Sequence, residues 1–324
     1  MLYRRSFLGA ALAIGAGAAR AQERHRRPKI GVLWHAASAE EEGKYYAALV
    51  ESLRAAGYEN GRTAEIEHRF SAEQKEKFER YAEELVALDV DVLVAVSLQA
   101  AAAAKRATRS IPIVFVVVPD PVAAGLVASL AAPGGNITGF TNIATDLTAK
   151  RLQLFKEAIG GLSKVALLVN PTDPVTSKSS IEDLEAAGAA LKVSVLPFEV
   201  RSRSDLAPVM AKVAASGVDG FVVAQNPVLF NERRFIADIA IQHRLPSSHV
   251  NSDTVEAGFL MSYGADHEAI FRRAPAYVDR ILKGVNPAEL PVEQPTTLEL
   301  VINLKTAALI SPSILAQADR IIEA

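Results

Sequence analysis

Uninterrupted apolar strands constrain the fold of this chain more than any other feature. Residues 90–96 and residues 113–118 are almost entirely apolar and rich in valine. A strand of that composition is covered on both faces, as in a parallel sheet between two layers of helices. Segments with apolar residues at helical spacing flank these runs, for example residues 76–88. We therefore predict an α/β chain with parallel strands and right-handed crossovers.

The same order of strands and helices occurs twice. Strands are predicted at residues 29–34, 64–70, 90–96 and 113–118, and again at residues 164–169, 193–200, 218–224 and 258–262. The sequence itself is partly repeated, because Val90-Asp91 and Ile111-Pro112 are echoed by Val218-Asp219 and Leu245-Pro246. A chain of 324 residues is long enough for two lobes, each with its own core. We predict two similar α/β lobes.

The remaining residues are too few for a third lobe. Residues 267–283 and 313–322 are predicted helices, and residues 290–302 are predicted to be extended. We expect this tail to cross back to the first lobe and out again, which gives a multi-strand hinge on which the lobes close. The predicted division is residues 28–140 plus 265–291 for the first lobe, and residues 141–264 plus 292–324 for the second.

The first residues have the features of an export signal. Arg4 and Arg5 precede an apolar run at residues 7–18, and Ala19-Arg20-Ala21 is a small-x-small cleavage site. The two arginines fit a twin-arginine signal, although ordinary signals also carry them. The apolar run is shorter than the ~20 residues of a membrane anchor. The chain has no cysteine, which excludes a disulfide scaffold and a lipoprotein. We predict a signal peptide at residues 1–21 and a periplasmic location.

Charge and motifs exclude several functions. Removal of residues 1–21 takes away three of the 35 basic residues and none of the 37 acids, which leaves a net charge of −5 and argues against a nucleic-acid partner. The sequence has no G-x-S-x-G elbow, no H-E-x-x-H motif and no P-loop. Its six histidines show no metal-ligand spacing and are expected to be surface or packing residues. We predict no enzyme activity, no metal and no cofactor.

Polar residues at the ends of the predicted strands are the candidate ligand contacts. Asp120, between two prolines after the strand at residues 113–118, is expected to cap a helix beginning at Pro121 or to pair with a ligand's ammonium group. Ser97 is expected to cap the earlier helix that begins at Gln99, to contact the ligand, or to do both. Trp34 and Tyr263 belong either to the core or to the cleft wall. The other polar candidates at these edges or near the presumed hinge are Gln99, Thr141, Asn142, Asn170 and Asn226.

Several motifs resemble those of one family. They are residues 120–127 (DPVAAGLV), 133–139 (PGGNITG), 260–264 (LMSYG), 277–284 (YVDRILKG) and 290–295 (LPVEQP). Together with residues 301–307 and 318–322, they resemble the substrate-binding proteins of ABC transporters. The resemblance extends over nearly the whole mature chain.

This resemblance implies a periplasmic-binding fold of the first type, with two Rossmann-like lobes and three hinge crossings. It also implies capture of a small solute, an amino acid in the relatives with known ligands, for an ABC permease in the inner membrane. We expect the protein to be a monomer. By position, the implied ligand contacts are Ser97, Gln99, Asp120, Thr141, Asn142 and Asn170. Gln225-Asn226-Pro227 departs from the family, because relatives often have an acid there, so an ammonium group would lose a partner.

Two other functions remain open from the sequence. The same fold could pass its closure to a membrane receptor, which would make the chain a sensor rather than a transport component. Alternatively, Asp120 with His35 or His249 could act as a hydrolytic pair.

Overall fold

The computed structural model describes residues 26–172, 174–306 and 310–323. The predicted export signal at residues 1–21 lies outside them. The first of two sheets contains β1 (Lys29–Trp34), β2 (Glu65–Phe70), β3 (Val92–Val96), β4 (Ile113–Val118) and β5 (Ile137–Thr141). Their order is β2-β1-β3-β4-β5, and all neighbouring strands are parallel. The helices between these strands are α1 (Ala39–Glu42), α2 (Lys44–Ala55), α3 (Lys75–Ala87) and α4 (Leu98–Ala107).

The second sheet contains β6 (Lys164–Val169), β7 (Ser194–Glu199), β8 (Gly220–Val223), β9 (Ser247–His249), β10 (Met261–Ala265), β11 (Leu298–Asn303) and β12 (Arg320–Ile322). Their order is β12-β11-β10-β9-β8-β6-β7. The pairing of β10 with β11 is antiparallel, and the other pairings are parallel. The helices of this half are α5 (Thr148–Ile159), α6 (Pro174–Leu191), α7 (Arg203–Ala215), α8 (Pro227–Asn231), α9 (Arg233–Gln242) and α10 (Asp253–Glu256). The predicted α/β architecture is confirmed.

After β10, the chain leaves the second sheet and returns to the first sheet. Helix α11 (His267–Leu282) packs against α2 and β4, and its Phe271 and Val278 are buried in the core that contains Trp34. A 3₁₀ turn, Pro287–Glu289, precedes the passage to β11, and α12 (Pro312–Leu315) precedes β12. We use "first lobe" for the five-stranded sheet with the helices on it, including α11, and "second lobe" for the seven-stranded sheet with its helices.

Three segments connect the lobes: the one after β5, the one between β10 and α11, and the one before β11. The first and third run side by side, since the Thr141 N–H donates to the Glu293 carbonyl at 3.0 Å. The side chain of Arg273 on α11 forms an ion pair with Glu293. This arrangement matches the multi-strand hinge expected from the sequence.

Two predicted helices are wrong. The chain after Pro121 forms turns rather than a helix, because it turns back at Gly125 in a left-handed conformation (φ 65°). The helix predicted at residues 313–322 ends at Leu315, and residues Arg320–Ile322 join the sheet as β12 beside β11. Among the described residues, no helix has the length and apolarity needed to span a bilayer.

Candidate ligand-binding cleft

A cavity of about 80 Å³ lies between the lobes. One ordered water requires about 10–15 Å³ measured in this way, so the cavity has room for a small molecule. The first lobe contributes His35, Tyr45, Ser97, Leu98, Gln99, Val117, Pro119, His267 and Phe271 to its wall. The second lobe contributes Thr176, Gln225, Asn226, Pro227, Phe230, His249, Val250 and Asn251. Ten of these seventeen residues carry a polar group, but most of the surface that the wall exposes is apolar, as is typical of a small-molecule site.

On the first lobe, the residues at the start of α4 form part of the cavity wall. Ser97 has φ 96°, a conformation unusual for a residue with a side chain, and its hydroxyl accepts a hydrogen bond from Ala100 N–H at 3.3 Å. The residue therefore caps α4 and also lines the cavity, and its contact with a ligand stays a prediction. Gln99 follows it on the same wall.

The opposite wall is built around the start of α8. Asn226 is buried, and its Oδ1 accepts hydrogen bonds from the N–H groups of Val228 (3.0 Å) and Leu229 (3.3 Å). Asn170 donates to the same oxygen at 3.4 Å and accepts from Thr172 N–H through its own Oδ1. This network fixes Asn226 at the cavity surface, while Asn170 lies behind it as a support.

His267 links the hinge to the second lobe. Its Nε2 lies 3.2 Å from Asn142 Nδ2, and its Nδ1 lies 3.0 Å from Asn251 Nδ2. Burial lowers the pKa of His267 to about 4, so the imidazole is neutral at pH 7. Asn142 is thus a hinge residue that does not line the cavity itself. It contacts His267, which does.

His35 forms a charged cluster beside the cavity. Its Nδ1 lies 2.5 Å from Glu73 Oε1, and its Nε2 lies 3.6 Å from Glu42 Oε2. Burial alone lowers the pKa of His35, but the charges of Glu42 and Glu73 outweigh that effect and raise it to about 9. Burial also raises the pKa of Glu42. At neutral pH His35 is therefore an imidazolium held by carboxylates.

His249, on β9, is neutral and faces the same cavity. Burial, followed by the charge of Arg151 on α5, lowers the pKa of His249 to about 3. Its Nδ1 accepts from Asn251 N–H at 3.1 Å, and its Nε2 has no hydrogen-bond partner among the described residues. Three histidines, His35, His249 and His267, thus line the cleft, although their spacing in the sequence does not group them.

Six predicted site residues do not line this cavity: Asn142 and Asn170, described above, and four others. Trp34 is fully buried behind it, stacked on Phe271 and donating from Nε1 to His68 Nδ1 at 3.0 Å. Thr141 donates to the Pro119 carbonyl at 3.0 Å and so belongs to the hinge backbone. The remaining two are Tyr263, half-buried against the second-lobe core, and Asp120, which is exposed.

Asp120 has a local structural role. Its Oδ1 accepts hydrogen bonds from Val122 N–H at 3.1 Å and Ala123 N–H at 2.9 Å, which caps the turn that follows β4. The structure does not bring Asp120 together with His35 or His249 in one cavity, so the hydrolytic pair considered from the sequence is not assembled. Among the described residues, no cluster of histidine and acidic side chains is arranged to hold a metal ion.

Comparisons with known proteins agree with this architecture. A family model described as ABC transporter substrate binding protein matches residues 33–322. The chain is 25% identical over 258 residues, 80% of its length and 74% of the relative's, to a protein named tyrosine-binding protein from Clostridioides difficile strain R20291.

Two solved structures are similar over nearly all of the chain. An ABC domain from Streptococcus pneumoniae in complex with L-Trp has a TM-score of 0.84 and 25% identity, over 92% of this chain and 100% of that one. A conserved domain protein from Vibrio cholerae O1 biovar El Tor has a TM-score of 0.85 and 26% identity, over 91% and 100%. These similarities confirm the periplasmic-binding fold expected from the resemblance.

Proposed function

The chain belongs to the family of ABC transporter substrate-binding proteins, and we propose that it captures a small aromatic or otherwise apolar solute, an amino acid or a related organic molecule, and delivers it to an ABC permease. The family consists of extracytoplasmic, non-enzymatic binding proteins. We place this member in the periplasm, exported through residues 1–21 and acting as a monomer.

One observation carries the proposal: a cavity whose surface is mainly apolar lies between two lobes that share a three-segment hinge. Leu98 and Phe271 of the first lobe face Phe230 of the second across it. Opening of the hinge exposes the cavity, and closing it around an apolar body removes that surface from water, which favours binding. One relative is named for tyrosine and another is solved with L-Trp, both of them aromatic amino acids, which supports an aromatic solute.

Thermal unfolding with a solute panel tests the proposal. Purified mature protein is mixed with aromatic and branched amino acids, aromatic acids and amines. A true ligand at 100 times its Kd raises the free energy of unfolding by about 2.7 kcal/mol. Small-angle scattering with and without that ligand reports lobe closure. If no solute in the panel shifts the transition, and mass spectrometry finds none co-purifying, the solute-binding proposal is wrong.

Delivery to a permease needs a separate measurement. Cells lacking this gene are expected to take up the radiolabelled ligand more slowly than the parent, and the full-length chain restores uptake. Unchanged uptake, with a ligand-dependent signalling response lost instead, would assign the protein to a membrane receptor.

A further inference from the structure

Arg151 is a buried cation that forms no ion pair with any residue that the structure describes. It lies on α5, only 8% exposed, and its Nε and Nη1 have no hydrogen-bond partner among the described residues. Its Nη2 lies 3.4 Å from the hydroxyl oxygen of Thr148, one turn earlier on the helix. Burial lowers the pKa of Arg151 to about 10, so the guanidinium remains charged at neutral pH.

Such a group lowers the stability of the protein unless something compensates it. Burial of an unpaired charge costs several kcal/mol, and an arginine cannot release its proton to avoid that cost. Replacement of such a charge by an apolar side chain of similar volume is commonly neutral or stabilising. The fold therefore gains nothing from the charge of Arg151 in the absence of an anion.

The guanidinium faces a cavity next to the central one. This smaller cavity, about 30 Å³, shares Pro119, Thr176 and Gln225 with the wall of the central cavity. Arg151 also lies close enough to His249, on the central wall, for its charge to lower that residue's pKa. Oε1 of Gln225, between the two cavities, is another buried atom with no partner among the described residues.

Among the described residues in the wall of the smaller cavity, Asp183 is the one acid. It is partly exposed and forms no ion pair with Arg151. Its pKa is raised by burial and by the other acids Glu182, Asp146 and Asp120. The positive charge of Arg151 is therefore not neutralised by an ion pair with Asp183.

We propose that Arg151 binds the carboxylate of the solute, and that the solute is an aromatic carboxylic acid without an ammonium group. Two parallel N–H groups of a guanidinium match the two oxygens of a carboxylate. The apolar body of the solute then fills the space between Leu98, Phe230 and Phe271. This proposal rests on the proposed function and specifies its substrate class.

The central cavity argues against an ammonium group. None of the described residues in its wall is an aspartate or a glutamate, and its one ionised side chain, His35, is cationic. An ammonium buried there would lose water without gaining an ion pair. Gln225 offers it a neutral amide oxygen only.

Three ligands that differ by one group test the substrate class. Tyrosine carries both charges, 3-(4-hydroxyphenyl)propionate lacks the ammonium, and tyramine lacks the carboxylate. Calorimetric titration of the wild type is expected to show that the propionate binds at least as tightly as tyrosine, whereas tyramine does not bind. Tighter binding of tyrosine by tenfold or more, binding of tyramine, or no binding of any of the three overturns the assigned class.

Variants of Arg151 test the residue itself. Arg151→Met keeps the volume and removes the charge, and Lys150→Met, on the exposed face of the same helix, is the control. Arg151→Met is expected to weaken binding of the propionate by about 10- to 100-fold, with the melting temperature of the ligand-free protein unchanged or raised. Lys150→Met leaves both unchanged. A lower melting temperature with unaltered affinity would make Arg151 a structural residue and overturn the proposal.

The proposed function can fail separately. It fails when no solute of any class binds the wild type, whereas the Arg151 proposal fails when a solute binds equally well to the wild type and to Arg151→Met.

Discussion

Tyr45 of the first lobe and Asn251 of the second are hydrogen-bonded across the cleft, with 3.1 Å between Asn251 Nδ2 and the Tyr45 hydroxyl oxygen. Beside them, Lys44 forms an ion pair with Asp253 of the second lobe. Both contacts join the two lobes, and a hinge opening of the kind proposed above would break them. They therefore stabilise the closed arrangement directly, independently of any solute.

Tyr45→Phe is expected to weaken solute binding about fivefold. The substitution removes the hydroxyl that joins the lobes, and a hydrogen bond of this kind contributes about 1 kcal/mol. Calorimetry measures the affinity, and small-angle scattering measures the fraction of closed protein. Tyr46→Phe, on the same helix but outside the cleft wall, is the control. Equal affinities for the two variants would show that the Tyr45 hydroxyl does not favour closure.

Stability is expected to fall as the pH rises from about 6.5 to about 9. The pKa of His35 is raised to about 9 in the folded protein, above its ordinary value of 6.5. Its contribution is therefore complete below pH 6.5 and is lost as the pH rises through 9, with a maximum of about 3 kcal/mol. Urea unfolding at pH 6.5, 8 and 9.5 measures the slope.

The variant His35→Gln is expected to flatten that slope, because the neutral amide does not titrate. His243→Gln, at an exposed position, is the control and keeps the wild-type slope. An undiminished slope in His35→Gln would place the titrating group elsewhere.

Gly264→Ala is expected to destabilise the protein by about 3 kcal/mol or more. A Cβ at Gly264, in the strand that leads into the second connection, would lie 2.1 Å from the carbonyl oxygen of Val250. Gly135→Ala is the matched control, since nothing lies within 4 Å of a Cβ there. Thermal unfolding of both variants compares the two sites. A loss below 1 kcal/mol in Gly264→Ala would mean that β9 and β10 separate easily.

Asp120→Ala is expected to lower stability by about 1 kcal/mol and to leave solute affinity within twofold. Its carboxylate caps the turn after β4 and lies outside the cavity wall. Asp120→Asn, which keeps the accepting oxygen, should restore the stability. A tenfold loss of affinity in both variants would support the sequence hypothesis that Asp120 anchors the ligand's ammonium group.

The sequence was sufficient for the overall fold because apolar strands and helical periodicity repeat in the same order in both lobes. The prediction from the sequence failed where the local preference for helix or strand was weak. Residues Arg320–Ile322 are predicted as part of a helix, but pairing with β11 makes them a strand, and only the tertiary neighbour decides between the two. The antiparallel direction of β11 could not be predicted from local sequence either, since it depends on the long connection that precedes the strand.

The candidate site was only partly predictable. Ser97, Gln99 and Asn226 were found because polar residues at strand ends meet at one edge of a sheet. Asp120 illustrates the limit, because the same residue type caps a turn or binds a ligand. Arg151 was missed, although it had a readable signal: it falls on the buried face of α5 with Leu152, Phe155 and Ala158. A charged residue within an apolar stripe is a candidate for function.

The return of α11 to the first sheet has a consequence for the order of folding. The ribosome makes residues 29–141, all five strands of the first sheet, long before it makes residues 267–282, which cover one face of that sheet. The amino-terminal lobe cannot complete its core until nearly the whole chain has been synthesised. Contacts of such long sequence separation slow folding. A nascent chain of this protein therefore stays available to chaperones until residues 267–282 have emerged.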